Sequence, residues 1–120
     1  PMFLQLAHTK LNVFQYSKSL ALECYRITKL FPQEERFAMS QQIRRAALSI
    51  HLNIAEGSSR KSAAERKRYF EIARGSVIEV DAAIGISFEL HYVDLQQLKP
   101  LEQLILQSFK TLTGLINHVS

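Results

Sequence analysis

A stripe of polar side chains in the second quarter of the chain has the residue types and spacing that could bind a ligand. Arg45, Ser49, Asn53 and Glu56 recur at intervals of four, four and three, so a helix would place them along one face. Serine and asparagine weaken a helix interior unless their side chains find hydrogen-bond partners. We interpret the stripe as a structural network that fixes the register between helices, with a ligand site as the alternative.

Positive charge is concentrated around this stripe. Between positions 36 and 74 the chain carries nine basic and three acidic side chains, whereas the net charge of the whole chain is only +4. Such a block predicts an anionic partner, usually nucleic acid, although a solvated helix face that only keeps the protein soluble would look the same. The candidate nucleic-acid-binding residues are Arg44, Arg60, Lys61, Arg66, Lys67, Arg68 and Arg74.

The sequence offers little support for catalysis. It contains no glycine-rich phosphate loop, no cysteine pair and neither the His-Glu-x-x-His nor the Gly-x-Ser-x-Gly motif. The histidines at positions 8, 51, 91 and 118 lack the spacing of a metal site in a helix bundle. Cys24 falls on an apolar helical stripe, which favours core packing over a nucleophile. We therefore expect a protein that is not an enzyme and has no catalytic residue, metal or cofactor.

The sequence pattern places these residues on helices. Apolar residues recur with a period near 3.6 in four segments, and short polar stretches join them. This pattern predicts an all-α fold, an antiparallel up-down-up-down four-helix bundle. Residues 13–120 form one predicted domain, and residues 1–12 form an apolar N-terminal extension expected to dock on the bundle or on a neighbouring subunit. The predicted helices are 13–30, 38–56, 62–91 and 95–118.

Local signals set the ends of these helices. Asn12 is the predicted N-cap of the first helix and Asp94 that of the fourth. Gly57 is predicted to end the second helix in the left-handed C′ position. Ser62 followed by Glu65 is a capping box that opens the third helix.

Two features of the third and fourth helices predict close contacts, either deep inside the bundle or, with more weight for the fourth helix, with another chain. Gly75 and Gly85 lie inside the third helix, where each costs about 1 kcal/mol relative to alanine, so we expect another backbone to come close there. The fourth helix is apolar on more than one side, with Leu106 and Phe109 away from its main seam. The protein is therefore predicted to assemble with copies of itself.

Composition bounds the location of the protein. No stretch approaches the roughly 18 apolar residues of a membrane span, and the first residues do not form a signal peptide. The single cysteine cannot form an internal disulfide, which favours a reducing compartment. We expect a cytoplasmic protein with no membrane partner.

The segment from Gln42 to Gly57 reads QIRRAALSIHLNIAEG. It closely resembles the signature of the four-helix-bundle family named for 23S rRNA intervening sequences. The Leu30-Phe31-Pro32 turn and the entry to the third helix at 62–70 are similar to that family as well, and the resemblance runs from about position 13 to the C-terminus. His51 stands where the family often has proline, so the second helix is expected to be straighter here.

This resemblance implies a four-helix bundle encoded in some bacteria within insertions of the 23S rRNA gene, and elsewhere at ordinary loci. Relatives include the accessory protein of diversity-generating retroelements, a basic homopentamer that works with a reverse transcriptase and nucleic acid. The resemblance therefore implies a homopentamer that binds RNA or DNA. The alternative is a protein-interaction scaffold, for example a partner of a reverse transcriptase, without intrinsic nucleic-acid binding.

Overall fold

The computed structural model describes residues 11–118, and within them the secondary structure is helical. A short 3-10 turn, Gln33–Glu35, lies between the first two α-helices. The predicted all-α fold of four helices is confirmed. The helices are α1 (Asn12–Thr28), α2 (Met39–Ser58), α3 (Ala63–Glu89) and α4 (Leu95–His118).

The four helices form a bundle in which each packs against two neighbours. The contacts join α1 to α2, α2 to α3, α3 to α4 and α4 back to α1, as at the corners of a square. The helices α2 and α3 run in opposite directions. Ser49 in the middle of α2 bonds to Ser76, whereas Gly57 near the end of α2 lies against Phe70, which is closer to the start of α3. This antiparallel contact is consistent with the predicted alternation of helix direction.

Aliphatic side chains from all four helices fill the space between them. Each such side chain contributes about 1.5–3 kcal/mol when it leaves water, so this core is what holds the helices together. The largest fully buried apolar side chains are Val13, Leu20, Ile27, Ile43, Ile50, Ile54, Val77, Val80, Leu101 and Leu112.

Two of the predicted helix starts are confirmed. The Ser62 hydroxyl accepts a hydrogen bond from the Glu65 backbone N–H at 3.1 Å. At α4, a carboxylate oxygen of Asp94 accepts from the Gln97 N–H at 2.8 Å. The Gln97 side-chain oxygen accepts in return from the Asp94 N–H at 2.9 Å, so both ends of this link are satisfied.

Two other predictions about helix ends are wrong. Leu11, not Asn12, is the N-cap of α1, and it makes no side-chain capping bond. Gly57 lies inside α2 rather than in the left-handed region. A Cβ on Gly57 would stand 2.9 Å from the Cβ of Tyr69 and 3.0 Å from a ring carbon of Phe70. This glycine is therefore needed for the close approach of α3, not to end the helix.

Unlike Gly57, the glycines of α3 are not in a close contact among the described residues. A Cβ at Gly75 or Gly85 would meet nothing within 4 Å in the described part of the chain, so the predicted close approach of a backbone is not made there by this chain itself. The predicted docking of the N-terminal extension concerns residues 1–10, which lie outside the described residues. Leu11, at its end, packs against the core.

Candidate nucleic-acid interface

Five of the predicted nucleic-acid-binding residues meet at one end of the bundle. Because α2 ends at Ser58 and α3 begins at Ala63, Arg60 and Lys61 lie in the connecting turn. Three further cations follow at once in the first turns of α3. We call this set the basic turn: Arg60, Lys61, Arg66, Lys67 and Arg68.

Arg66 shapes the basic turn from within. Its guanidinium donates to the backbone carbonyl of Arg60 at 3.1 Å and to that of Lys61 at 2.7 Å. These carbonyls follow the end of α2, where partial negative charge favours a cation. Arg66 therefore holds the path of the chain between the two helices as well as adding positive charge.

Arg60 is held in a fixed orientation. Its guanidinium donates to a carboxylate oxygen of Glu56 at 2.7 Å and to the Tyr69 hydroxyl at 3.1 Å, and it lies over the Tyr69 ring at 5.0 Å from the centroid. Tyr69 and then Glu56 raise the pKa of Arg60 above its ordinary value.

The other three cations of the basic turn face solvent. Lys61, Lys67 and Arg68 are all exposed. Lys67 and Arg68 follow each other on α3, so their directions differ by about 100°. They therefore present charge over a broad surface around the N-terminus of α3, where the helix dipole also favours an anion.

The two remaining candidates lie away from the basic turn. Arg44 donates to the Thr28 hydroxyl at 2.8 Å and lies over the Tyr25 ring at 4.7 Å, which links α2 to α1. Arg74 donates to the Thr113 hydroxyl at 3.3 Å, which links α3 to α4. Both guanidinium groups are half-buried between helices.

The polar stripe of α2 divides into two parts. Ser49 accepts from the Ser76 hydroxyl on α3 at 2.9 Å. The Asn53 amide donates to the Ser49 carbonyl at 2.8 Å and to its hydroxyl at 3.1 Å. Arg45 and Glu56 are exposed and lie outside this small network. The middle of the stripe thus contributes to the register of α2 against α3.

A serine–histidine contact between α1 and α2 escaped the sequence analysis. The Nδ1 atom of His51 lies 2.8 Å from the Ser17 hydroxyl, which also lies 3.0 Å from the Phe14 carbonyl oxygen. The imidazole also stacks on the Phe14 ring, with 4.1 Å between centroids. The single hydroxyl proton can serve either the Phe14 carbonyl or Nδ1, so which atom donates between Ser17 and His51 depends on the imidazole tautomer. Ser17 is fully buried, and the pair is structural rather than nucleophilic.

No sequence signal joined these two residues. Ser17 and His51 each occupy a helical position next to apolar residues, where a polar side chain has no obvious purpose. Their pairing depends on the register of α1 against α2, which the spacing within either helix leaves undetermined.

Cys24 fits the predicted role of a core side chain. It is fully buried, and burial, with a smaller contribution from Glu23, raises the pKa of its thiol to about 12. The thiolate is the reactive form of cysteine, so this thiol is inert near neutral pH. Among residues 11–118, no group of three or more His, Cys, Asp or Glu side chains could hold a metal ion.

An apolar groove runs between α3 and α4. It has a volume of about 670 Å³ and is largely nonpolar, with two carboxylates at its edges. Several of its apolar side chains are exposed although they are large. We call it the α3–α4 groove, defined by Ile78, Asp81, Phe88, Leu95, Glu102, Leu106 and Phe109.

The fold and the basic turn together describe a four-helix-bundle protein with one strongly cationic end. The sequence model of the family described as 23S rRNA-intervening sequence protein matches residues 9–114. The chain belongs to that family. Within the described residues, no helix combines the length and apolar character needed to span a membrane.

A solved structure supports the same assignment. The chain is similar to a crystal structure of a protein of unknown function from the S23 ribosomal protein family of Bacteroides thetaiotaomicron. The two are 25% identical, with a TM-score of 0.80, and the match covers 87% of this chain and 97% of the other. No curated protein matches the chain.

Proposed function

We propose that this protein is a non-enzymatic, oligomeric bundle that binds RNA or DNA through the basic turn. The observation that carries the proposal is the gathering of five cations at one end of the molecule, with three carboxylates nearby in the sequence at Glu56, Glu65 and Glu71. Nucleic-acid backbones are the usual partners of such a surface. The proposal places the protein in the cytoplasm, where its single cysteine stays reduced.

The five cations have different tasks in this proposal. Arg60 and Arg66 bond within the turn and hold its shape. Lys61, Lys67 and Arg68 are exposed and contact phosphate oxygens. Contacts to phosphates fix position but carry no sequence information directly, so binding is expected to be largely independent of sequence.

Assembly would multiply this effect. A ring of subunits, a homopentamer by analogy with the family, presents the basic turn once per copy on one rim. Arg44 and Arg74 are left out of the proposed surface because their guanidinium groups bond between helices. Their removal is expected to lower stability more than affinity.

Fluorescence anisotropy with labelled single-stranded RNA and DNA of equal length tests the proposal. For three phosphate contacts on a single strand, raising the salt from 50 to 200 mM should weaken binding about 20-fold, because each neutralised phosphate releases counterions. Absence of binding at 50 mM salt, or binding that salt does not weaken, would contradict the proposal.

A matched pair of charge variants locates the surface. The triple variant Lys61→Glu, Lys67→Glu and Arg68→Glu should lose at least tenfold in affinity, whereas Lys29→Glu, Lys99→Glu and Lys110→Glu should lose much less. The two sets change the net charge by the same amount, and all six side chains are exposed. Equal losses in both sets would show that total charge, not the basic turn, governs binding.

The α3–α4 groove favours a second candidate function. An exposed apolar groove of this size is typical of a protein-interaction site. In this case the protein would be a scaffold for another protein, such as a reverse transcriptase, without binding nucleic acid itself. A protein partner recovered with the bundle after nuclease treatment, together with no binding in the anisotropy experiment, would favour this alternative.

A further inference from the structure

Phe37 is the most exposed large apolar side chain of the described structure, at 80% of its accessible area. It lies between the 3-10 turn and the start of α2 at Met39. The Arg36 guanidinium covers its ring at 5.3 Å from the centroid, and Arg45 lies beside it. The chain thus presents an aromatic side chain beside two cations, and the Glu35 carboxylate, which accepts from the Tyr92 hydroxyl, also lines this surface.

The α3–α4 groove has the opposite character. Ile78, Leu95 and Leu106 are 55%, 63% and 45% exposed around it, so an apolar surface is left open to water. Asp81 and Glu102 stand among the lining residues. A suitable occupant would therefore have an apolar tip with positive charge beside it, which is what Phe37 and its neighbours offer.

Both features lie at the same end of the bundle. The Tyr92 hydroxyl, between α3 and α4, donates to a carboxylate oxygen of Glu35 in the 3-10 turn at 2.6 Å. This bond places the α1–α2 connection level with the α3–α4 connection. Leu95, at the start of α4, is therefore at about the height of Phe37, but the residues lining the groove include none from the α1–α2 connection.

We propose that the α3–α4 groove receives Phe37 of a second copy of this chain, with Arg36 and Arg45 of that copy facing Asp81 and Glu102. We call Phe37 with Arg36 and Arg45 the knob. Knob and groove are different surfaces of one chain, so the contact is heterologous and can repeat from copy to copy. The proposal rests on the oligomeric part of the proposed function and is independent of nucleic-acid binding.

Mass in solution, measured by light scattering after size exclusion, tests this contact. Phe37→Asp and Leu106→Asp should each reduce the assembly to a chain of 13.8 kDa. The control Leu22→Asp, at a side chain that is 64% exposed on α1, should leave the assembly intact. Unchanged circular dichroism and melting temperature would show that the variants are folded.

A mixture of the two defective variants gives a sharper test. The Phe37→Asp chain keeps its groove and the Leu106→Asp chain keeps its knob, so together they can form one intact contact. The mixture should contain a one-to-one dimer, whereas each variant alone stays monomeric. Monomers only in the mixture would contradict a heterologous contact between these two surfaces.

Oxidative cross-linking covers the case in which a variant folds poorly. The double variant Phe37→Cys, Leu106→Cys should form a ladder of covalent multimers, and each single variant should not. The native Cys24 is fully buried and should not contribute.

The remaining outcomes separate this inference from the proposed function. A monomeric wild-type chain overturns both the contact and the oligomeric part of the function. A wild-type assembly that survives Phe37→Asp overturns the contact alone. If Leu106→Asp dissolves the assembly but Phe37→Asp does not, the groove binds a different segment and Phe37 is not the occupant.

Discussion

Helix α3 faces two neighbours, and the two contacts are built differently. Against α2 it packs so closely that Gly57 has no room for a Cβ, and Ser49 and Ser76 bond across the contact. Against α4 it leaves the α3–α4 groove open, with Gly85 bordering it. This chain therefore completes the α2–α3 contact by itself, whereas the α3–α4 side leaves an apolar surface open to water.

Truncation of one apolar side chain on each side should give the largest contrast. Ile54→Ala removes a fully buried side chain and should lower the free energy of unfolding by about 2–5 kcal/mol, because it leaves a cavity in the core. Leu106→Ala, at the half-exposed groove, should change it by less than about 0.5 kcal/mol in the monomer. Urea unfolding measures both, and similar losses would mean that the groove is part of the core.

Adding a methyl group to a glycine should act in opposite directions on the two sides. Gly57→Ala should destabilise the protein by about 1–3 kcal/mol, because the new Cβ meets the Tyr69 Cβ. Gly85→Ala should stabilise the monomer by about 0.5–1 kcal/mol, because alanine is the better helix former and nothing lies within 4 Å. Thermal unfolding in the same buffer decides whether the signs differ.

The buried thiol should make stability depend on pH in alkaline solution. Folding raises the pKa of Cys24 from 9.0 to about 12, so the folded state binds its proton more tightly than the unfolded state. This contribution is complete below pH 9 and should be lost as the pH rises toward 12, by up to about 1.4 kcal/mol per pH unit. In Cys24→Ala, the urea midpoint should depend less on pH over this range than it does in the wild type.

Thiol labelling compares the reactivity of the buried core with that of the α3–α4 groove. At pH 8 the native Cys24 should react with iodoacetamide far more slowly than the unfolded chain, because it is buried and protonated. In a Cys24→Ala background, Leu106→Cys should react at close to the unfolded rate in the monomer. Rapid labelling of native Cys24 would show that the core opens often.

The smallest expected effects concern the hydrogen bonds between helices. Ser49→Ala should cost about 1 kcal/mol, because the buried Ser76 hydroxyl loses its partner. Thr113→Ala should cost less than about 0.5 kcal/mol, since Arg74 is only half-buried and water can replace the bond. If Ser49→Ala, Ser76→Ala and their double variant have additive effects in urea, the two hydroxyls do not interact.

The sequence was most informative where a signal is local. The four helices and the caps at Ser62 and Asp94 follow from apolar spacing and from residues three apart, and both are confirmed. The role of Gly57 was misassigned because the reason for a glycine depends on which side chain of another helix lies against it. Such contacts require the register between helices, which spacing within one helix cannot supply.

At the candidate site, too, local features could be predicted from the sequence and contacts that depend on the path of the chain could not. The clustering of Arg60, Lys61 and Arg66 could be predicted because they are close in sequence. The bond of Arg66 to two backbone carbonyls could not be predicted, because it depends on the path of the turn. The exposed Phe37 also escaped notice, since a lone phenylalanine near a proline is as typical of a core as of a contact surface.

The position of Arg66 has a consequence for how the cationic end can change. One terminal nitrogen of its guanidinium donates to two carbonyls at once, so the path of the turn depends on a donor that reaches both carbonyls from position 66. The side chains of Lys61, Lys67 and Arg68 could therefore be replaced without disturbing the backbone of the turn between α2 and α3. Replacement of Arg66 would change both the positive charge of the basic turn and the path of its backbone.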